Sequence, residues 1–209
     1  MSVSELQNID KPQVYPGFVD AVICINLETR PDRRVKVLER FKYQFYFYTA
    51  KPHCNPKTGC TQSHLDCIRW AEENKFKNVM VIEDDVVVLK DLNTCTPTIP
   101  SSFDMLYLGG ICLGIQGAWW REWTRGRFVC MHAYIVNERF YSALIGCIDY
   151  DNPPQILDAW LADRVHDKYE CYIVTDPLCV QEEDFSNIDD KVKWKAFKWP
   201  RAGEQCYIP

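Results

Sequence analysis

Three consecutive carboxylates, Glu83, Asp84 and Asp85, interrupt an otherwise apolar run from Asn78 to Val88. Side by side, like charges are costly to bury unless a cation or hydrogen bonds compensate. If the segment is extended, Glu83 and Asp85 share one side and Asp84 faces the other. Two carboxylate oxygens on one side suit a hard divalent cation, Mg²⁺ or Mn²⁺. Taken alone, an acidic turn with solvated charges is the slightly better reading. A second cluster, His53, Cys54, Cys60 and His64, imitates a zinc site, but its spacing matches no common zinc module, and coincidence in a loop is the better account. The glycines Gly109, Gly110, Gly114 and Gly117 do not match the dinucleotide pattern. Neither a Walker-type lysine loop nor a Gly-x-Ser-x-Gly elbow is present.

The elements that would position the carboxylates read as an α/β succession. Phe18 to Leu27 is a strand that breaks at Thr29-Arg30-Pro31, and Asp32 to Phe41 has apolar residues at helical spacing, with Pro31 suited to the first turn. Tyr43 to Thr49 is a second strand, Lys51 to Thr58 a loop, Gly59 to Asn74 a helix, and Asn78 to Val88 the carboxylate strand. A near-continuous apolar run of that kind is buried on both faces, as in a parallel sheet. In such sheets ligands bind beyond the C-terminal ends of strands, where the triplet falls.

Further on, Phe103 to Leu108 and Phe128 to Val136 are strands, and Glu138 to Ile148 is a helix capped by Asn137. Ile156 to Asp167 is another helix and Tyr169 to Thr175 a last strand. Residues 1 to 17 read as an irregular arm, Ile111 to Arg127 as a lid or excursion over a site, and the chain from Asp176 as polar and irregular.

The chain's 209 residues suit one domain, and its net charge of −5 argues against nucleic acid as the main partner. No apolar run approaches membrane-spanning length, and the first residues lack the halves of a signal peptide, so a cytoplasmic protein is expected. Eleven cysteines without a Cys-x-x-Cys pair, several in apolar runs (Cys24, Cys112, Cys130, Cys171), read as reduced, buried small hydrophobes.

Five segments in order resemble glycosyltransferase family 25, the lipooligosaccharide and procollagen galactosyltransferase type. Asn26-Leu27 with Arg30 and Arg33 is similar to its "NL-x-x-R-x-x-R" start, and Gly59-Cys60-Thr61-Gln62-Ser63-His64 to its "G-C-x-x-S-H" helix. Glu83-Asp84-Asp85 resembles its form of the metal-binding DxD motif, Asp104 to Gly109 its "D-x-L-Y-L-G", and His132-Ala133-Tyr134 its "H-A-Y". The last third matches only loosely, through Ile156 to Trp160 and Gln181 to Ile188. The resemblance implies a GT-A fold, with a mostly parallel central sheet flanked by helices. It also implies inverting transfer of a sugar from a nucleotide-sugar donor, a UDP-hexose, to a glycan or glycoprotein. Residues 18–110 would form the donor half and 111–209 the acceptor half.

On that resemblance, Glu83 and Asp85 hold Mn²⁺ or Mg²⁺. Asn26, Leu27, Arg30, Arg33, Ser63, His64, Asp84, Gly109 and His132 bind the nucleotide sugar. Arginine forks suit phosphate oxygens. Ser63 and His64 are expected in a helix's first turn, whose amides could face the nucleotide. His64 reads equally as a helix-packing histidine, and His132 at least equally as a buried structural one. Trp119, Trp120 and Trp123 would stack on a sugar under the lid reading, although tryptophans more often are core. Asp158 is the first candidate for the general base and Asp163 the second. Lys193, Lys195, Lys198 and Arg201 fold over the diphosphate or form a solvated tail. No histidine follows His166 to serve as a late metal ligand. Two rival readings stay open: a nucleotide- or sugar-binding module without turnover, and a two-carboxylate glycoside hydrolase.

Overall fold

The strands pair in an order that leaves a crevice at one end of the sheet. The structure, a computed structural model, describes residues 6–13, 15–116, 122–148, 154, 156–182, 185–186 and 191–192. In chain order the first elements are β1 (Gln7–Ile9), β2 (Ala21–Leu27), α1 (Pro31–Arg40), β3 (Phe45–Ala50), α2 (Pro56–Glu73), β4 (Asn78–Glu83), β5 (Val86–Val88) and α3 (Leu92–Cys95). Then come β6 (Met105–Tyr107), β7 (Ile111–Ile115), β8 (Trp123–Val129), β9 (Ala133–Asn137), α4 (Glu138–Cys147) and α5 (Leu157–Arg164). The described chain closes with β10 (Cys171–Val174), β11 (Cys179–Gln181), β12 (Phe185–Ser186) and β13 (Lys191–Val192).

A nine-stranded sheet runs β1-β3-β2-β4-β9-β6-β10-β8-β7. It is mixed, which corrects the expectation of a mostly parallel sheet. The parallel pairs are β2–β3, β2–β4 and β6–β10, whereas β9 runs against both β4 and β6, and β7 and β8 form an antiparallel hairpin. Three apolar strands with two crossover helices dictate the first half. On β2 and β4, Ile23, Val79 and Val81 pack with Leu65 and Ile68 of α2, while Val22, Cys24, Met80 and Ile82 pack with Val37 of α1 on the other face. Covered on both faces, these strands need no polar residue until their ends. Each fully buried Val, Ile or Leu side chain contributes on the order of 1.5–3 kcal/mol.

The crevice follows from that order. The chain leaves β2 toward β3, then returns past β2 to β4, so the connections diverge at the carboxyl ends of β2 and β4. Such a switch point is where open α/β sheets bind ligands. It is lined by the ends of these two strands, by Asn26-Leu27 and Glu83.

Several expected elements come out differently. Within the supposed arm, Gln7–Ile9 adds an edge strand antiparallel to β3. The supposed lid is the β7–β8 hairpin, with a bulge between Cys112 and Gly114. Trp123 is buried in it, with its indole Nε1 donating to the Thr98 carbonyl (3.1 Å). Trp119 and Trp120 lie outside the described residues, as do Lys193, Lys195, Lys198 and Arg201. The expected strand Phe128 to Val136 is broken at Cys130, whose φ of 72° takes it out of β8 before β9 begins. β11, in the supposed irregular tail, pairs antiparallel with β5. Helix α2 begins at Pro56 rather than Gly59, because Asn55 Oδ1 accepts from the amides of Lys57 (3.1 Å) and Thr58 (3.3 Å) and Pro56 takes the first helical position. Among the described residues, no helix is long and apolar enough to cross a membrane.

Candidate functional site

A cleft of about 320 Å³ opens at the crevice between β2 and β4. One wall is a single face of α2: Pro56, Gly59, Cys60, Ser63 and His64 fall at i, i+3, i+4, i+7 and i+8 and all line it. Gly59 has a specific reason to be glycine, since a Cβ there would meet the Cβ of His53 at 2.7 Å and push the 51–54 loop off the helix. Opposite stand Leu27, Arg30 and Arg33, and the floor is Glu83, Asp84 and Asp85 with Gln181 and Glu182.

The three carboxylates do not alternate as in an extended strand. β4 ends at Glu83, and Asp84-Asp85 make a turn before β5. Glu83 therefore faces α2, with its Oε1 3.3 Å from His64 Nε2. Asp84 and Asp85 instead converge on α1, where Arg33 Nη1 donates to Asp84 Oδ1 and Asp85 Oδ2, both at 3.0 Å. Asn26 Nδ2 donates to Asp84 Oδ2 (2.7 Å) and to the Arg30 carbonyl (3.1 Å), tying the end of β2 to the start of α1. Gln181 Nε2 donates to Asp85 Oδ2 (3.0 Å). Arg40 reaches the Asp84 carbonyl (2.9 Å) and Glu182 Oε2 (2.8 Å).

Asp85 is 4% exposed, yet its Oδ1 has no hydrogen-bond partner among the described residues. Burial and then the nearby charge of Glu83 push its carboxyl up to about 7, against the pull of Arg33 and the Gln181 hydrogen bond. Burial likewise raises Asp84, whereas Glu83, despite burial, is held below the usual carboxylate range by the His64 hydrogen bond and charge. A buried carboxylate with one oxygen unsatisfied, acting on a second carboxylate, is a donor set that fits a hard divalent cation. Functional sites concentrate shifted groups of this kind.

No family model matches the chain, so family 25 rests on the five segments quoted above. Over 100 residues, 41% of this chain, the sequence is 30% identical to the "Procollagen lysyl hydroxylase and glycosyltransferase" of Acanthamoeba polyphaga mimivirus. The match spans 11% of that protein, so the chain corresponds to a small part of its relative. Among solved structures, a glycosyltransferase involved in the glycosylation of the major capsid of PBCV-1 overlays with a TM-score of 0.47 and 9% identity, covering 77% of this chain and 93% of that one. In sequence, the chain is thus a relative of a glycosyltransferase-bearing viral protein over less than half its length.

Of the residues singled out from sequence, the cleft brings together Leu27, Arg30, Arg33, Ser63, His64, Glu83, Asp84 and Asp85, with Asn26 just beneath. Ser63 and His64 lie in the third turn of α2 rather than the first, so side chains and not free amides face the cleft. Ser63 Oγ donates back to the Gly59 carbonyl (2.8 Å).

Gly109 and His132 do not line the cleft. A Cβ on Gly109 would overlap the Cys179 carbonyl oxygen, so the glycine lets β11 pass close over β6. His132 is buried behind Glu83, accepting the Glu83 amide on its carbonyl (3.0 Å). Burial depresses the pKa of its ring.

Asp158 and Asp163 do not line the cleft either. Asp158 takes the amides of Cys130 (2.8 Å) and Ala159 (2.7 Å) on its two oxygens, and Asp163 is exposed further along α5. Gln181 and Glu182 open the loosely matching segment Gln181 to Ile188 but were not singled out as site residues; the apolar pair Cys179-Val180 before them was the available signal for β11.

Proposed function

We propose that the protein is a metal-dependent, inverting glycosyltransferase of the GT-A type, moving a hexose from a UDP-sugar to a glycan or glycoprotein hydroxyl. The observation that carries this reading is the buried Asp85 Oδ1, without a hydrogen-bond partner among the described residues, at the switch-point cleft, with Arg30 and Arg33 on the facing wall. Glu83 and Asp85 would hold Mn²⁺ or Mg²⁺, which supplies charge neutralisation as the diphosphate leaves. Arg33 is placed to exchange its carboxylate partners for phosphate oxygens, and the Arg30 guanidinium lies on the same wall. Asn26 holds Asp84 in place through the exchange. Asp158 is the proposed base for the acceptor proton, on the resemblance of the segment Ile156 to Trp160. Placement on the exposed side of α5 makes Asp163 the weaker candidate. The cytoplasm is the proposed site of action.

One observation favours a binding module without turnover. Arg33 already bridges Asp84 and Asp85, and both Asp158 oxygens are engaged by backbone amides. A hydrolase would need two carboxyls facing each other across a sugar, whereas among the described residues the cleft carboxylates turn toward Arg33 and His64. Calorimetric titration of UDP, with GDP and CMP as comparators, in Mn²⁺ and again in EDTA, tests the reading. UDP binding that requires the metal, followed by release of UDP from a UDP-hexose, is expected. Binding without release sinks the transferase in favour of the module, and no nucleotide binding in any metal sinks both.

A further inference from the structure

Cys60 and His64 sit one turn apart on α2, and Glu83 approaches them from the end of β4. The thiol sulfur, a ring nitrogen and a carboxylate oxygen all lie within 4.8 Å of one another. We propose that Cys60, His64 and Glu83 form a second, softer metal site on the cleft wall, taking Zn²⁺ or an ion like it. Sulfur, imidazole and carboxylate together select zinc over magnesium, calcium or manganese, and three protein ligands leave a coordination position open toward the cleft.

The contact on the far side of the His64 ring supports this assignment. His64 Nδ1 lies 2.9 Å from the Tyr134 hydroxyl, deep in the core, which fixes the ring and leaves Nε2 pointed at Glu83. A histidine ligand held through its other nitrogen is the usual arrangement at a metal. Helix packing explains a half-buried cysteine, but it does not explain a thiol, an imidazole and a carboxylate turned toward one point beside open space. A cysteine thiol is protonated at neutral pH unless a cation or similar partner stabilises the thiolate. Binding therefore forms a metal–sulfur bond as the Sγ–H proton leaves to solvent, with no change of oxidation state.

This site is distinct from the hard-cation pair, although the two share Glu83. Both sites would use Glu83, so Zn²⁺ held by Cys60 and His64 would compete with Mn²⁺ rather than add to it. The inference does not rest on the transferase reading, and its test uses no nucleotide.

Co²⁺ titration of the metal-stripped protein reads the thiolate ligand directly through a near-ultraviolet sulfur-to-cobalt charge-transfer band. One Co²⁺ per chain with that band is expected, retained in Cys54→Ser and lost in Cys60→Ser and Cys60→Ala. His64→Gln should weaken Co²⁺ binding by at least about tenfold, a loss typical even of an outer-shell partner. Zinc-edge X-ray absorption of the wild type, which needs no variant to fold, should show one sulfur among nitrogen and oxygen neighbours. Absence of the band in the wild type, its survival in folded Cys60→Ser, or a zinc shell without sulfur overturns the proposal.

Discussion

Two carboxylate–arginine groups sit at opposite ends of the same sheet, and they are built differently. At the amino-terminal ends of β6 and β10, Asp104 Oδ1 accepts from Arg139 Nε (2.8 Å) and Oδ2 from the Glu170 amide (2.7 Å). Glu170 in turn accepts from Arg139 Nη2 (2.6 Å) and the Ser102 hydroxyl (2.5 Å), and Arg139 also donates to Ser102. Both Asp104 oxygens are matched. At the carboxyl end of β4, Asp85 is equally buried but carries an oxygen with no partner among the described residues, and its pKa is displaced upward. A closed network of charges is a fastening; an open one beside a cleft is a place for something else to bind. The histidines divide in the same way. His166, fully buried, accepts the Phe128 amide on Nδ1 (3.1 Å) and meets the Tyr107 hydroxyl through Nε2 (3.0 Å), so its neutral tautomer is settled. His64 instead turns Nε2 toward the cleft carboxylate.

Gly109→Ala should have the largest effect, destabilising by about 3 kcal/mol or more, because overlap with the Cys179 carbonyl must move β11. Denaturant unfolding measures it, and a neutral result would remove the tight β6–β11 approach from the account. Next comes pH. Burial holds His166 down to about 4, so between its ordinary value and about 4 the unfolded chain binds the extra proton and the folded one does not. Stability should therefore be full above about 6.5 and fall by up to about 3 kcal/mol as pH drops toward 4. His166→Gln should flatten that part of the melting-temperature profile. Asp104→Ala should cost about 2 kcal/mol by leaving the Glu170 amide and the Arg139 Nε unmatched. Smallest is Tyr107→Phe, at about 1 kcal/mol for one buried hydrogen bond, read as a modest drop in melting temperature.

Much of the cleft was legible because strong local signals made it. The apolar runs of β2 and β4 give buried strands whatever surrounds them, and the polar residues that end them fall where the sheet binds ligands. Asn26, Arg30, Arg33 and the three carboxylates accordingly come to the crevice between β2 and β4. What was illegible depends on distance along the chain or on turns. The three-residue strand β11 pairs with β5 across some ninety positions and delivers Gln181 and Glu182, and no local pattern encodes that pairing. The turn at Asp84-Asp85 overrides strand alternation and brings both residues to Arg33. Asn55 and Pro56 start α2 early, which turns Ser63 and His64 from end residues into wall residues. The zinc imitation was half visible. The helix gathers Cys60 and His64, while His53 stays with Asn55 in the loop and Glu83 takes the third place.

The central claim is that the open end binds and the closed end only fastens. UDP titration in Mn²⁺, paired with thermal melting, on Asp85→Asn and Asp104→Asn tests it most directly. Asp85→Asn should lose metal-dependent UDP binding while keeping wild-type stability to within about 1 kcal/mol, because it removes a carboxylate that burial already disfavours. Asp104→Asn should melt lower and bind UDP as the wild type does. Metal-dependent UDP binding that survives in Asp85→Asn, or that vanishes in a folded Asp104→Asn, would contradict the claim.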